Sequence, residues 1–159
     1  MKTPRSRISC ETPVPAPWEW VETVRVCVEE GLAELDDELR YAAILAASEL
    51  AENVVKYGDG GAIRAGIDLE LDGQRLRIRS VNRVSNRASA EEVMTIVDGI
   101  AATSDPATLY LQQMEAALRD PGASGSRLGF YRIAAEGGLR LSHMYVEGCL
   151  TITAERELT

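Results

Sequence analysis

Two short stretches of this chain carry residue types that could do chemistry. The first is Glu49-Leu50-Ala51-Glu52-Asn53. A carboxylate and a carboxamide four residues apart share one face of a helix. Together they can hold a metal ion and a water or hydroxyl. Lys56 continues that face, with Glu52 beside it. The second stretch is Gly122-Ala123-Ser124-Gly125-Ser126-Arg127-Leu128-Gly129. A glycine-rich turn that feeds a helix offers free backbone N–H groups to an anion, and Ser124 and Ser126 add donors. Jointly the two describe a nucleotide pocket whose metal side and phosphate side come from distant segments. Each also has a plainer reading. A polar helix stripe can simply face water, although asparagine is a modest helix former and its place in mid-helix invites a reason. A glycine turn can be a linker before a helix. It is not a Walker loop, because the Gly-Lys-Ser/Thr ending is missing.

These stretches need elements to position them. Trp18, Val21, Val24, Val28 and Leu32 recur every three or four residues, which predicts a helix from Trp18 to Leu35. Trp18 and Trp20 are expected to pin it to the sheet or to a partner. Asp36-Asp37 caps a second helix that runs to about Tyr57 and stops at Gly58-Asp59-Gly60-Gly61. The Glu49 stripe therefore lies in its second half. Residues 62–81 predict a hairpin turned at Asp72-Gly73. That turn pairs Leu69 with Leu76, Ile67 with Ile78, Glu70 with Arg75 and Asp68 with Arg77. One face is apolar and the other pairs opposite charges. Arg75, Arg77 and Arg79 then read as a solvated strand face rather than an anion site.

Helical spacing returns over residues 89–119 and is broken at Ser104-Asp105-Pro106. A short helix from Leu128 to about Glu136 follows the glycine turn. A second hairpin, Leu139–Val146 and Cys149–Ala154 with its turn at Glu147-Gly148, closes the chain. Residues 1–16 hold three prolines and read as a loose tail before one domain spanning 17–159. The expected fold class is α+β. Both hairpins form one antiparallel or mixed sheet, and helices cover one face in a two-layer sandwich.

Bulk properties narrow the function classes. A chain of 159 residues suits one domain. A net charge of −8 argues against a sequence-independent grip on nucleic acid, which needs a basic face, but not against a phosphate ligand. No run of 18 apolar residues predicts a membrane-spanning helix. Lys2, Arg5 and Arg7 are not followed by an apolar stretch, so no secretory signal is expected and a cytoplasmic location is. Cys10, Cys27 and Cys149 are odd in number and lack metal-ligand spacing, which predicts reduced, buried thiols rather than a disulfide framework. His143 falls on the strand face of Leu141 and Tyr145 and reads as a satisfied, partly buried side chain.

In this order the motifs resemble the ATP-binding domain (GHKL type) shared by histidine kinases, gyrase-type ATPases and Hsp90-type chaperones. Among these, the chain looks most like the compact bacterial serine/threonine kinases of the anti-sigma-factor type. Ser48-Glu49-Leu50-Ala51-Glu52-Asn53-Val54-Val55-Lys56-Tyr57-Gly58 resembles the N-box helix. Ser80-Val81-Asn82 stands where the family has its adenine-reading box. Gly125-Ser126-Arg127-Leu128-Gly129-Phe130 resembles the second glycine box. Tyr131-Arg132-Ile133-Ala134 with Gly137-Gly138 resembles a SiaB-like branch.

The resemblance implies that Asn53 holds Mg²⁺ through its side-chain oxygen while ATP phosphates supply other ligands. It implies that Glu49 takes the proton from a substrate serine or threonine hydroxyl. Lys56 would approach a phosphate, or else serve as a surface cation at the helix C-terminus. Asn82 is the nearest candidate for reading adenine, and Gly125, Ser126, Arg127, Leu128 and Gly129 form the phosphate box. Two departures stand out. The adenine-reading aspartate is absent, and Arg83-Val84-Ser85-Asn86 replaces the glycines that usually follow it. Arg127 replaces a phosphate-loop glycine. At a positive φ that costs roughly 1–2 kcal/mol; alternatively, the arginine adds a phosphate contact. The implied function is a protein kinase that uses Mg-ATP on a small regulatory partner, an antagonist or sigma-factor-like protein, in a partner-switching circuit. The alternative is an adaptor of the same fold, weak or silent toward nucleotide, that acts through protein contacts. A homodimer through the first helix is compatible with either.

Overall fold

The computed structural model describes residues 5–58, 64–120 and 127–158. In chain order the elements are β1 (Ser6–Thr12), α1 (Glu19–Gly31), α2 (Asp37–Tyr57), β2 (Ala65–Leu71), β3 (Arg75–Arg83), α3 (Arg87–Ala102), α4 (Pro106–Arg119), α5 (Leu128–Gly137), β4 (Arg140–Val146) and β5 (Cys149–Glu157). The strands form one five-stranded sheet in the order β1-β2-β3-β5-β4, and every neighbouring pair is antiparallel. The fold is α+β, a two-layer sandwich. Alternation along the strands places one row of side chains under the helices. That row includes Ile67, Leu69, Leu71, Leu76, Ile78, Ile152 and Ala154, all buried. Above them, α1 and α2 contribute Val24, Val28, Ala43, Ala47 and Leu50, also buried. Trp20 is buried with them, whereas Trp18 is 56% exposed.

Helix starts follow local chemistry. The Asp36 carboxylate accepts from the Leu39 N–H at 2.8 Å and caps α2. Asn86 caps α3 in the same way, accepting from Ser89, and Asp105 caps α4 with Pro106 just inside it. The second hairpin turns at Glu147-Gly148 as expected, both residues having positive φ. No helix among the described residues is long and apolar enough to cross a membrane.

Three expectations need correction. Residues 6–12 are not a loose tail; they form β1, which pairs with β2 and extends the sheet by one edge strand. The strand's own alternation places Ile8, Cys10 and Thr12 on the helix side, a pattern hidden by the flanking prolines. The first hairpin has a different register: Leu71 pairs with Leu76, Leu69 with Ile78, Glu70 with Arg77 and Asp68 with Arg79. The Asp72 carboxylate accepts the backbone N–H groups of Gln74 and Arg75, which moves the turn one residue along, to Gly73-Gln74. The slip is by two residues in pairing, so both faces keep their character. The third correction concerns Cys27. It is exposed rather than buried, because it stands beside, not within, the buried stripe of Val24 and Val28 on α1.

Candidate functional site

Glu49 sits midway along α2, on the flank that α5 crosses. Its side chain is only 16% exposed. Gly129, in the first turn of α5, lies against it: a Cβ added there would stand 3.0 Å from the Glu49 carboxyl carbon. One turn further along α5, Arg132 reaches Glu49 Oε1 with Nη1 at 3.4 Å. The same guanidinium donates to Glu136 at 2.8 Å and to the Tyr41 hydroxyl at 3.4 Å. Tyr41 in turn donates to Glu136 at 3.1 Å. A four-residue polar network thus joins two turns of α2 to α5.

The electrostatics of Glu49 follow from this position. Burial raises its pKa above the ordinary glutamate value, and the nearby Glu52 carboxylate pushes in the same direction; Arg132 and Lys56 oppose the rise without cancelling it. Burial of this kind is one of the ways a carboxylate's proton affinity is raised toward that of a general base.

Asn53 follows one turn later and is half-buried, while Lys56 in the last turn of α2 is exposed. That position suits a cation facing the negative end of the helix. Asn82 is 6% exposed at the end of β3, on the helix-facing side. A Cβ on Gly58 would stand 2.6 Å from the Val54 carbonyl oxygen and 3.3 Å from Asn82 Nδ2, so glycine closes α2 where a side chain would clash with the helix itself and crowd Asn82. Leu128 opens α5 half-buried, and the residue before it, Arg127, provides no side-chain cap to the first-turn amides. Gly125 and Ser126 lie outside the described residues.

The two departures from the family pattern both have local explanations. Arg127 has φ −117°, an ordinary value, so the strain expected of a side chain at this position does not arise. Its guanidinium forms an ion pair with Glu92 of α3 and a hydrogen bond with Tyr57 at the end of α2. The Arg83-Val84-Ser85-Asn86 stretch serves the fold. Val84 is buried, its N–H donates to the Gly148 carbonyl at 2.8 Å, and its own carbonyl accepts from the Tyr145 hydroxyl at 2.6 Å. Asn86 is the cap of α3.

Other sequence expectations resolve simply. His143 is held by Asp98 at 2.8 Å, with Nε2 as the contacting atom. Arg75 and Arg77 pair with Glu155 on β5 across the outer sheet face. Arg132, Tyr41, Glu136 and Glu92 escaped the sequence reading of the site. Their signal was present in part: Tyr41 and Glu49 are two turns apart on α2, and Gly129, Arg132 and Glu136 recur at helical spacing on α5.

The site thus brings together the middle of α2 with the first turns of α5, and the end of α2 with the end of β3. It offers a buried carboxylate, a neutral oxygen donor one turn away, first-turn helix amides that Arg127 does not cap, and a buried carboxamide. Asn53 alone is a single hard oxygen donor, so Mg²⁺ here would need phosphate oxygens to complete its shell. No protein-family model matches this chain, and no curated protein matches it.

Proposed function

We propose that this protein is a nucleotide-binding regulatory domain of the histidine-kinase-like type. It binds Mg-ATP between α2, β3 and α5 and phosphorylates a serine or threonine on a small partner protein. The observation that carries the reading is the meeting of Gly129 with Glu49. In a pocket of this kind the phosphate loop must reach the helix that bears the base and the metal-binding asparagine, and the contact of Gly129 with Glu49 supports that reading. Glu49 is the general base, Asn53 the residue that meets the metal, and Asn82 the group at the adenine end. Phosphoryl transfer needs mainly positioning and charge neutralisation, which few residues suffice to supply. Positioning the domain in the cytoplasm belongs to the same proposal.

A second reading has its own observation. Arg127 is engaged by Glu92 and Tyr57, which fastens α5 to α3 and to the end of α2. A domain held this way acts as an adaptor that grips its partner with little or no nucleotide. Displacement of a fluorescent ATP analogue by unlabelled ATP, with and without Mg²⁺, separates the two. Mg²⁺-dependent displacement below about 1 mM supports the kinase reading. No binding of the analogue to the folded protein leaves the adaptor.

A further inference from the structure

The pairing of α1 with the edge strand β1 sets two cysteines against each other. Gly31 ends α1 directly over Ile8: a Cβ on Gly31 would meet the Ile8 side chain. Four residues back along the helix is Cys27; two residues on along the strand is Cys10. Four helical residues rise about 6 Å, and two strand residues advance about 6.7 Å. Cys27 therefore falls on the same helix face as Gly31, and Cys10 on the same strand face as Ile8. The two pairs form successive rungs between helix and strand. After burial, Cys27 is the largest influence on the Cys10 thiol, so the two side chains are neighbours. Cys10 is buried beneath the helix, whereas Cys27 is exposed at its flank.

We propose that Cys10 and Cys27 form a redox-modifiable pair that closes to a disulfide and locks the edge strand β1 to α1. The exposed member reacts first. With a hydroperoxide as the oxidant, the Cys27 sulfur attacks one oxygen, the O–O bond breaks, and a sulfenic acid and one water result (a hydroperoxide other than hydrogen peroxide releases its alcohol in place of this water). The Cys10 sulfur then attacks the Cys27 sulfur. The S–S bond forms, the S–O bond breaks, and the hydroxyl leaves as water with the Cys10 proton. The two sulfurs have given two electrons to the peroxide. The buried thiol is a poor first nucleophile, since its surroundings push its pKa up to about 11, mainly through burial. That burial also shields it from the oxidant and reserves it for the second step. Cys149, in β5, takes no part.

The test is peptide mass mapping of the intact chain after brief treatment with hydrogen peroxide, without reductant. The expected result is loss of two hydrogen atoms, a cross-linked peptide pair containing Cys10 and Cys27, and reversal by dithiothreitol. Cys27→Ser should abolish the cross-link, and because Cys27 is exposed this change leaves the core intact. Cys149→Ser should leave it unchanged. Over-oxidation of Cys27 with Cys10 still a free thiol would overturn the proposal. So would disulfides that join Cys27 of two chains, or Cys27 to Cys149.

Discussion

Gly129 lies against the carboxylate of Glu49, backbone to side chain, so that α5 and α2 meet there with no side chain to separate them. The contact explains why glycine stands here although its φ is not in the left-handed region. It also joins two parts of the candidate site that are distant in sequence. Any Cβ at position 129 must displace Glu49 or push α5 away, and Arg132 holds Glu49 from the other side.

Gly129→Ala is therefore expected to lower stability by about 1 kcal/mol, the low end of the range for forcing volume into a packed site, because the displaced group is a flexible carboxylate end and helix propensity offsets part of the cost. Gly99 provides the control. It lies in the interior of α3, where an added Cβ meets nothing within 4 Å. Gly99→Ala should raise stability by about 0.5–1 kcal/mol through helix propensity alone. Urea unfolding midpoints of the two variants, measured side by side, should move in opposite directions.

The raised pKa of Glu49 gives a pH signature. In the folded protein this carboxyl binds its proton more tightly than the ordinary glutamate value of 4.5. The native state then holds more protons than the unfolded state in that window, so stability contributed here falls as pH rises through it. Glu49→Gln removes the charged form and with it the cost. The variant should melt above the parent at about pH 7, and the gap should close toward about pH 4. Arg132 keeps Glu136 and Tyr41 as partners in that variant. A parent that melts above Glu49→Gln at neutral pH would show that the Arg132 pair outweighs burial.

Arg127 permits a sharper distinction. Its ion pair with Glu92 is partly exposed and worth about 1 kcal/mol or less. If that pair draws the side chain away from a phosphate, Arg127→Gly should leave Mg-ATP affinity unchanged or tighten it by up to about fivefold. Titration of Arg127→Gly beside the parent checks this. A loss of about tenfold or more would mean that Arg127 leaves Glu92 to hold a phosphate, as arginine commonly does.

Much of this architecture was legible from residue patterns. The helix start at Asp36 and the break at Ser104-Asp105-Pro106 were readable because short polar side chains and proline mark helix ends, whereas the Asn86 cap of α3 was hidden in a stretch compared with a glycine box. The faces of both hairpins followed from period-two alternation. The register of the first did not, because Asp72 captures two backbone N–H groups and so chooses where the turn falls. β1 was missed because an edge strand draws its order from its neighbour, here β2, more than from its own sequence. In the site, Glu49 and Asn53 could be placed on a helix face by counting. The Arg132 contact could not, because it depends on how α5 crosses α2. The conformation of Arg127 was likewise beyond residue type: an arginine where glycine is usual signals strain only if φ is positive, and here it is not.

The proposed function rests on binding of Mg-ATP by Asn53 and the surfaces around it. Calorimetric titration of the protein with ATP and Mg²⁺, run beside Asn53→Ala, tests it most directly. The expected result is a Kd in the range of about 1–100 μM for the parent and a loss of about tenfold or more in Asn53→Ala, with both proteins equally folded. Absence of heat and saturation up to about 1 mM ATP in the folded parent, or equal binding by Asn53→Ala, would contradict it.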